Sequence, residues 1–513
     1  MARKSAPEPL EVSASPQSDR AQPLKGLRLV VTGLDLQQAE HRGIAVYSKA
    51  LLRALRSSGA ELWLLTDFDP RLQGASLRNA PAAARQLVFS ARVLEALNRG
   101  FQPSLIPLAS TALARKSGLV RKALKAWAAL SELPSVLLRQ KHYNLRRARR
   151  VDLSALVDNP YSRIERLLYL EELTGILCAR NVFVSSFRAA LGKNTKPVEI
   201  QLGDFDGLVS TCPLHIRCDQ GKPFVQTVHD LIPLEYVQTT DHAGAFSRRL
   251  ESCRAANRLF VSSSTQQKYR LSYGSPAGSS EAVVIQPPSL QIPEPYKRRL
   301  LEQDVLHPSR RAKARNNTLR AFRYVLFNSS VEPRKNLLFV IRAYRQSGLA
   351  EQGIRLCVTG QLKKDDYSKA VAEQADESVL LTGYIDENTK ASLFLHAMLV
   401  LSPSLVEGFG IPVLDAACIG APVIASPSES HLEIQALHDF QKLVWICDTR
   451  DPLDWAIAMK DLAATQLDAT ADITAERERR LARYDARSSA IFERFRATIC
   501  EQVLAGSQIR NGR

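Results

Sequence analysis

What this sequence lacks narrows it first. No uncharged run approaches the roughly 20 apolar residues that cross a bilayer as a helix. The longest candidate, 100–114, is too short and is broken by Pro103 and Pro107. No apolar stretch follows the charges of the first seven residues, so a secretory leader is not expected. The eight cysteines include no Cys-x-x-Cys pair and no Cys/His spacing suited to a metal. Several lie in apolar runs, as in Arg355-Leu356-Cys357-Val358, and are expected to be reduced core residues of a cytoplasmic protein. Short-period repeats are absent. So is any aromatic-and-basic stacking platform, and nucleic acid is therefore not an expected partner.

What is present is a chain of 513 residues, more than one hydrophobic core serves, so two domains are expected. Its 69 Lys and Arg against 52 Asp and Glu leave a formal charge of +17, which attracts acidic partners. Residues 1–25, rich in Pro, Ser and Gln, read as a disordered tail. Order begins at 27–33, an apolar run ending in glycine, as a buried parallel strand entering a loop would. After Gly43, Val46, Tyr47, Ala50, Leu51, Ala54 and Leu55 share one helical face, and Glu61–Thr66 reads as the next strand. This is a βαβ rhythm.

From 75 to 180 the rhythm lapses into an expected helical insertion. It returns with strands at 181–186, 208–212, 224–228, 259–263 and 283–286. The prolines at 287, 288, 293 and 295 and the basic segment 310–317 mark a linker, closing a first domain at 26–310. A second α/β unit, 320–495, is more regular, with strand-like runs at 324–328, 355–359, 379–382, 398–402, 422–425 and 443–447. Residues 496–513 read as a tail. Two doubly wound parallel-sheet domains would place their ligand-binding loops around a shared cleft, at the carboxyl ends of their strands.

Four stretches carry chemistry. In Ser404-Leu405-Val406-Glu407-Gly408-Phe409-Gly410-Ile411-Pro412-Val413-Leu414-Asp415, Gly408 and Gly410 allow close backbone approach where a helix begins. The unsatisfied N–H groups there favour an anion such as a diphosphate. Glu407 and Asp415 could face the same ligand and accept hydrogen bonds from sugar hydroxyls; a loop with a helix-capping acid is the plainer alternative. In Glu332-Pro333-Arg334-Lys335-Asn336 a guanidinium fork and an ammonium stand side by side at a strand end, suited to two phosphates. In His229-Asp230-Leu231-Ile232-Pro233, His229 could bond a hydroxyl or stabilise charge at a reacting centre, whereas Asp230 could equally be a turn-forming acid. Gly43 opens the first strand-to-helix crossing.

Together these stretches resemble the retaining glycosyltransferases of the GT4 type, which have the GT-B fold of two facing Rossmann-like domains. The resemblance rests on the glycine near 43, the HDL-P stretch, the EPRKN stretch and the EGFGIPVLDA run continuing to Ser426. It implies that Arg334 and Lys335 hold the donor diphosphate and that Glu407, Gly408, Phe409 and Gly410 line the donor sugar and phosphates. Asp415 would bind the ribose, His229 would sit at the reaction centre and Gly43 beside the diphosphate. Two departures stand out: Asp415 where the family usually has Glu, and Ala45 where a second glycine is common. The resemblance also implies catalysis without a metal or other cofactor, and in agreement no Asp-x-Asp metal motif is expected at a strand end.

The leaving diphosphate would take the acceptor's proton, and its stabilisation would be the main catalytic effect. The expected donor is a nucleoside-diphosphate sugar, GDP-mannose first, with UDP- and dTDP-sugars as alternatives. The acceptor would be a glycan or lipid-linked glycan of a surface polysaccharide. A reading of a different class is a non-catalytic GT-B module that binds glycan or membrane. Basic residues at 115–150, including Arg146, Arg147, Arg149 and Arg150, interleave with Trp127 and leucines. They suggest an interfacial helix pair that would dock a peripheral enzyme on the anionic inner membrane face.

Overall fold

The computed structural model describes residues 22–39, 41, 43–70, 80–100, 141–153, 165–192, 196–236, 242–276, 278–308, 317–437, 439–469 and 472–506. Among them an eight-stranded sheet runs, edge to edge, through Glu281–Val283, Asn257–Phe260, Phe224–Val228, Gly207–Ser210, Arg28–Thr32, Glu61–Thr66, Gly175–Cys178 and Arg149–Asp152. Its pairings are parallel except that of Arg149–Asp152 with Gly175–Cys178. Leu29, Val30 and Val31 are all fully buried, as continuous apolar strands covered on both faces must be. The helix Gly43–Ser57 covers one face with Tyr47, Leu51, Leu52 and Leu55.

A second sheet is wholly parallel, in the order Val379–Gly383, Arg355–Thr359, Tyr324–Asn328, Leu399–Ser402, Val423–Ala425, Val444–Ile446. The strand order reverses between Tyr324–Asn328 and Leu399–Ser402. An open α/β sheet binds ligand at such a switch point. The EPRKN and EGFG loops leave the carboxyl ends of these two adjacent strands.

Several expectations are corrected. The segment 181–186 is not a strand: Val182–Leu191 is a helix whose first turn donates the Phe183 N–H to the Asp67 carboxylate at 2.6 Å, while Gly175–Cys178 supplies the strand. Order starts before residue 26, since Leu24 is fully buried and its N–H reaches the Ser58 carbonyl at 3.0 Å; residues 1–21 lie outside the described residues. The region 75–180 is not helical throughout. Ala82–Arg99 is a helix, but His142–Asn144 and Arg149–Asp152 are strands.

The arginines assigned to a membrane helix belong to that irregular and strand region and make internal contacts. Arg146 pairs with Asp204 at 2.8 Å, Arg149 pairs with Asp69 at 3.2 Å and lies over the Phe89 ring, and Arg150 lies over Trp63 and Phe205. Residues 115–140 lie outside the described residues. Among the described residues no helix is long and apolar enough to cross a membrane. The chain's last helix, Ile473–Ala505, overruns the expected tail at 496. Its Leu481, Tyr484 and Ile491 pack in the second domain's core, and its Phe495, Ile499 and Val503 in the first domain's.

Candidate functional site

After strand Tyr324–Asn328 the chain makes a tight turn, Pro333–Lys335, with Lys335 N–H to Glu332 O at 2.9 Å and Asn336 N–H to Pro333 O at 3.0 Å. Asn336 adopts φ 56°, a left-handed conformation that asparagine tolerates, and the helix Leu337–Gln346 follows. This geometry turns Lys335 inward until it is 6% exposed, where its Nζ forms an ion pair with Glu407 Oε2. Arg334 Nε donates to Glu332 Oε2 at 3.2 Å, and Lys363 holds the other Glu332 oxygen at 2.8 Å. Leu405 N–H to Arg334 O at 2.8 Å stitches the two loops together.

The electrostatics follow from burial. Desolvation draws the Lys335 ammonium below its ordinary pKa, while Glu407 works to raise it. Burial pushes Glu407 up, but Lys335 outweighs it, with help from His431 and Arg334, and holds the carboxyl at about 2. Glu407 is therefore a carboxylate at neutral pH. The pair fixes an ammonium beside a guanidinium at the mouth of the switch point.

Gly408 and Gly410 serve different ends. A Cβ on Gly408 would stand 2.7 Å from Asp230 Oδ2, so glycine lets a carboxylate of the first domain pack on this loop. Gly410 has φ 92° and caps the helix Ile411–Ile419, whose first turn carries Pro412; a Cβ there would meet the His431 ring at 2.7 Å. Phe409 between them packs against the cores of both domains. Across the cleft, Gly43 opens its helix close to Ile411, where a Cβ would lie 3.3 Å from Ile411 Cδ1. Ala45 is buried in the first core.

His229 sits at the end of strand Phe224–Val228 and is 8% exposed. Its Nε2 lies 2.7 Å from the Thr211 carbonyl, which can only accept, so Nε2 carries the proton and Nδ1 keeps its lone pair. Burial lowers its pKa to about 4, leaving a neutral ring, edge-on to Tyr47 at 4.8 Å. Such a ring accepts a hydrogen bond from a hydroxyl at Nδ1 and carries no charge toward a phosphate.

Asp415, expected at the ribose, is bonded to Ser289. It is fully buried, and its two oxygens take the N–H of Ser289, at 2.5 Å, and the Ser289 hydroxyl. Burial raises its pKa to about 6. Here the shorter aspartate clasps the linker leaving the first domain. An Asp-x-Asp pair does stand at a strand end, Asp67 and Asp69 after Glu61–Thr66, but it serves the fold: Asp67 caps the helix Val182–Leu191 and Asp69 pairs with Arg149.

Three site residues escaped the sequence reading. Asp230, weighed there only as a turn acid, does accept the Ile232 N–H at 3.1 Å, but its other oxygen reaches the Gly408 loop. His431 supports Gly410 from beneath, with Nδ1 3.0 Å from the Ser426 carbonyl. Glu433 crosses between domains and accepts the Ser263 and Ser264 N–H groups, each at 2.8 Å, at the start of the helix Ser263–Tyr273. No local pattern announces the Glu433 contacts, whose partners lie 170 and 169 residues away in the chain.

Arg334, Lys335, Glu407, Gly408, Gly410 and Asp415 fall within a family match. Residues 309–479 match the model described as Glycosyl transferases group 1. The O-antigen chain mannosyltransferase B of Escherichia coli is 30% identical over 116 residues, which are 22% of this chain and 30% of that protein. An uncharacterized glycosyltransferase of Methanocaldococcus jannaschii is 29% identical over 112 residues, 21% of this chain and 28% of that protein. This chain thus spans less than a third of the length of either relative. Among solved structures, sucrose-phosphate synthase from Thermosynechococcus elongatus aligns with 94% of this chain and 100% of its own, at a TM-score of 0.50 and 16% identity, a likeness of fold. Residues 309–479 are thus similar to the group 1 glycosyl transferases, and the chain's two parallel-sheet domains form a GT-B fold.

Proposed function

We propose that this chain is a retaining glycosyltransferase that moves a sugar from a nucleoside-diphosphate sugar, GDP-mannose first among candidates, to a glycan or lipid-linked glycan of a surface polysaccharide. One observation carries the donor reading: the buried Lys335–Glu407 pair beside Arg334, facing the start of helix Ile411–Ile419. Two cations and a helix N-terminus converging on one point suit the charge that develops on a departing diphosphate. Mannose and the polysaccharide acceptor are supported by the likeness of 116 residues of this chain to an O-antigen chain mannosyltransferase.

In this reading Arg334 supplies a planar fork and Lys335 a point charge, both oriented by carboxylates before the substrate arrives. A diphosphate drawing Lys335 toward itself leaves Glu407 free to accept a sugar hydroxyl. No metal is assigned a role. Neutral His229 accepts a hydroxyl proton's hydrogen bond at Nδ1 without repelling or competing for the phosphates.

A thermal-shift screen against GDP, UDP, dTDP and their sugars tests this directly, because a ligand bound only by the native state raises apparent stability. One nucleotide should shift the wild type and lose its effect in Lys335→Ala. The second reading, a non-catalytic GT-B module for glycan or membrane, draws on Asp415, whose oxygens are both engaged by Ser289. It prevails if no nucleotide shifts the wild type while a glycan or anionic vesicle does.

A further inference from the structure

A small pocket lies between the two domains, lined by Asp230, Ile232 and Lys268 from the first and by Glu407, Gly408 and Ser430 from the second. Four carboxylates border it, and three are neutralised. Glu407 pairs with Lys335, and Lys268 bridges Glu235 at 3.0 Å and Glu429 at 2.7 Å. Asp230 is the exception: among the described residues it forms no ion pair, and its one hydrogen bond takes the Ile232 N–H to Oδ1. Oδ2 is held against Gly408, at a spot that a single methyl group there would deny it.

A carboxylate oxygen in this place cannot serve a diphosphate, which it would repel. Nor does the fold need the charge, since the turn bond uses Oδ1 and an amide oxygen would accept it equally well. Asp230 is half-buried and lines the pocket, and the partner suited to an acceptor-only oxygen next to a phosphate-binding loop is a neutral donor, a hydroxyl.

We propose that Asp230 Oδ2 is a sugar-hydroxyl ligand of the transfer site, a subsite that exists only when the two domains meet at Gly408. The proposal rests on the glycosyltransferase reading above and adds the residue that reads a hydroxyl on one of the two sugars. The chemistry is shared by the donor sugar and the acceptor, and the experiment separates them. Arg334, Glu407 and Glu235 are the charged groups that face Asp230; burial lifts its pKa to about 6 and Arg334 opposes the rise.

The test compares wild type with Asp230→Asn and Asp230→Ala in binding GDP, UDP or dTDP and the matching nucleotide sugar, and in transfer to methyl glycosides of mannose, glucose and galactose. The free nucleoside diphosphate reports the fold and the phosphate site, and its affinity should stay within twofold. A hydrogen bond to a charged acceptor is worth roughly tenfold or more in affinity. That loss should appear in the affinity for the nucleotide sugar if the hydroxyl is the donor's, or in KM for the methyl glycoside if it is the acceptor's. The wild-type value for the affected ligand should also worsen as pH falls through about 6, a dependence missing in Asp230→Asn. Unchanged affinity and KM in both variants would overturn the proposal while leaving the donor site standing. A wild type that binds no nucleoside diphosphate would overturn the donor-site reading and the proposal with it.

Discussion

Replacing Lys335 with methionine keeps the length of the side chain and deletes its charge, leaving Glu407 buried without a partner. The side chains of the pair are 7% and 12% exposed, so solvent does little to soften the loss. Breaking a buried pair by removing one member costs about 3–5 kcal/mol. Linkage gives the same order: holding Glu407 at about 2 instead of 4.5 corresponds to about 3 kcal/mol of stability at neutral pH. In the wild type the depressed carboxyl stabilises above its unfolded value and loses that contribution as pH falls toward about 2.

In Lys335→Met the largest remaining influence on Glu407 is burial, which raises its pKa, so the sign reverses. The variant's deficit should be greatest at pH 7–8 and shrink as the pH drops through the raised value. Urea unfolding of wild type, Lys335→Met and Lys335→Met/Glu407→Gln at pH 5, 7 and 8 measures this. The double variant should recover most of the loss, because no buried charge remains. A Lys335→Met protein within about 1 kcal/mol of wild type at pH 7, or a double variant no more stable than the single, would refute the reasoning.

Gly408→Ala forces a methyl group to 2.7 Å from Asp230 Oδ2, and overpacking of this kind should lower stability by about 1–3 kcal/mol in urea unfolding, less in the background of Asp230→Ala. Asp415→Asn should lose about 1.5–3 kcal/mol in the same assay through one of its two bonds to Ser289 while nucleotide affinity stays near wild type; the reverse pattern would return Asp415 to the ribose. Long-range proton–nitrogen NMR should find His229 neutral with Nε2 protonated from pH 8 down to pH 5. Its folded pKa of about 4 lies below the ordinary 6.5, so it contributes stability above pH 6.5 that is lost as the pH falls toward 4. An imidazolium at pH 6 would contradict the burial that holds the ring neutral.

The second domain was legible because buried parallel strands are written as unbroken apolar runs, and each run at 324–328, 355–359, 379–382 and 399–402 matches a strand. Val182-Phe183-Val184 is just such a run, yet it is a helix, because Asp67, more than 110 residues earlier, caps its start. Local β propensity yields there to a distant carboxylate. In the site, Arg334, Lys335, Glu407 and the two glycines announced themselves by standing at strand ends. Asp230 did not, since its turn bond spans two residues while its other oxygen touches a loop about 180 residues away. The bonds from Asp415 to Ser289 were not legible either, because Ser289 lies 126 residues earlier in the chain.

The last helix has a mechanical consequence. At about 1.5 Å per residue, its 33 residues make a rod of roughly 50 Å. The chain leaves the first domain through the linker clasped at Ser289 and comes back to it along this rod, so the domains are joined twice. Two joints define a line, as the hinges of a door do, and opening is thereby restricted to rotation about that line. The rod contains no glycine or proline, the usual causes of a kink. Its weakest point is the Ser488-Ser489 pair, which lies within a turn of the place where the buried face passes from one core to the other, between Ile491 and Phe492. That pair is where the door would bend.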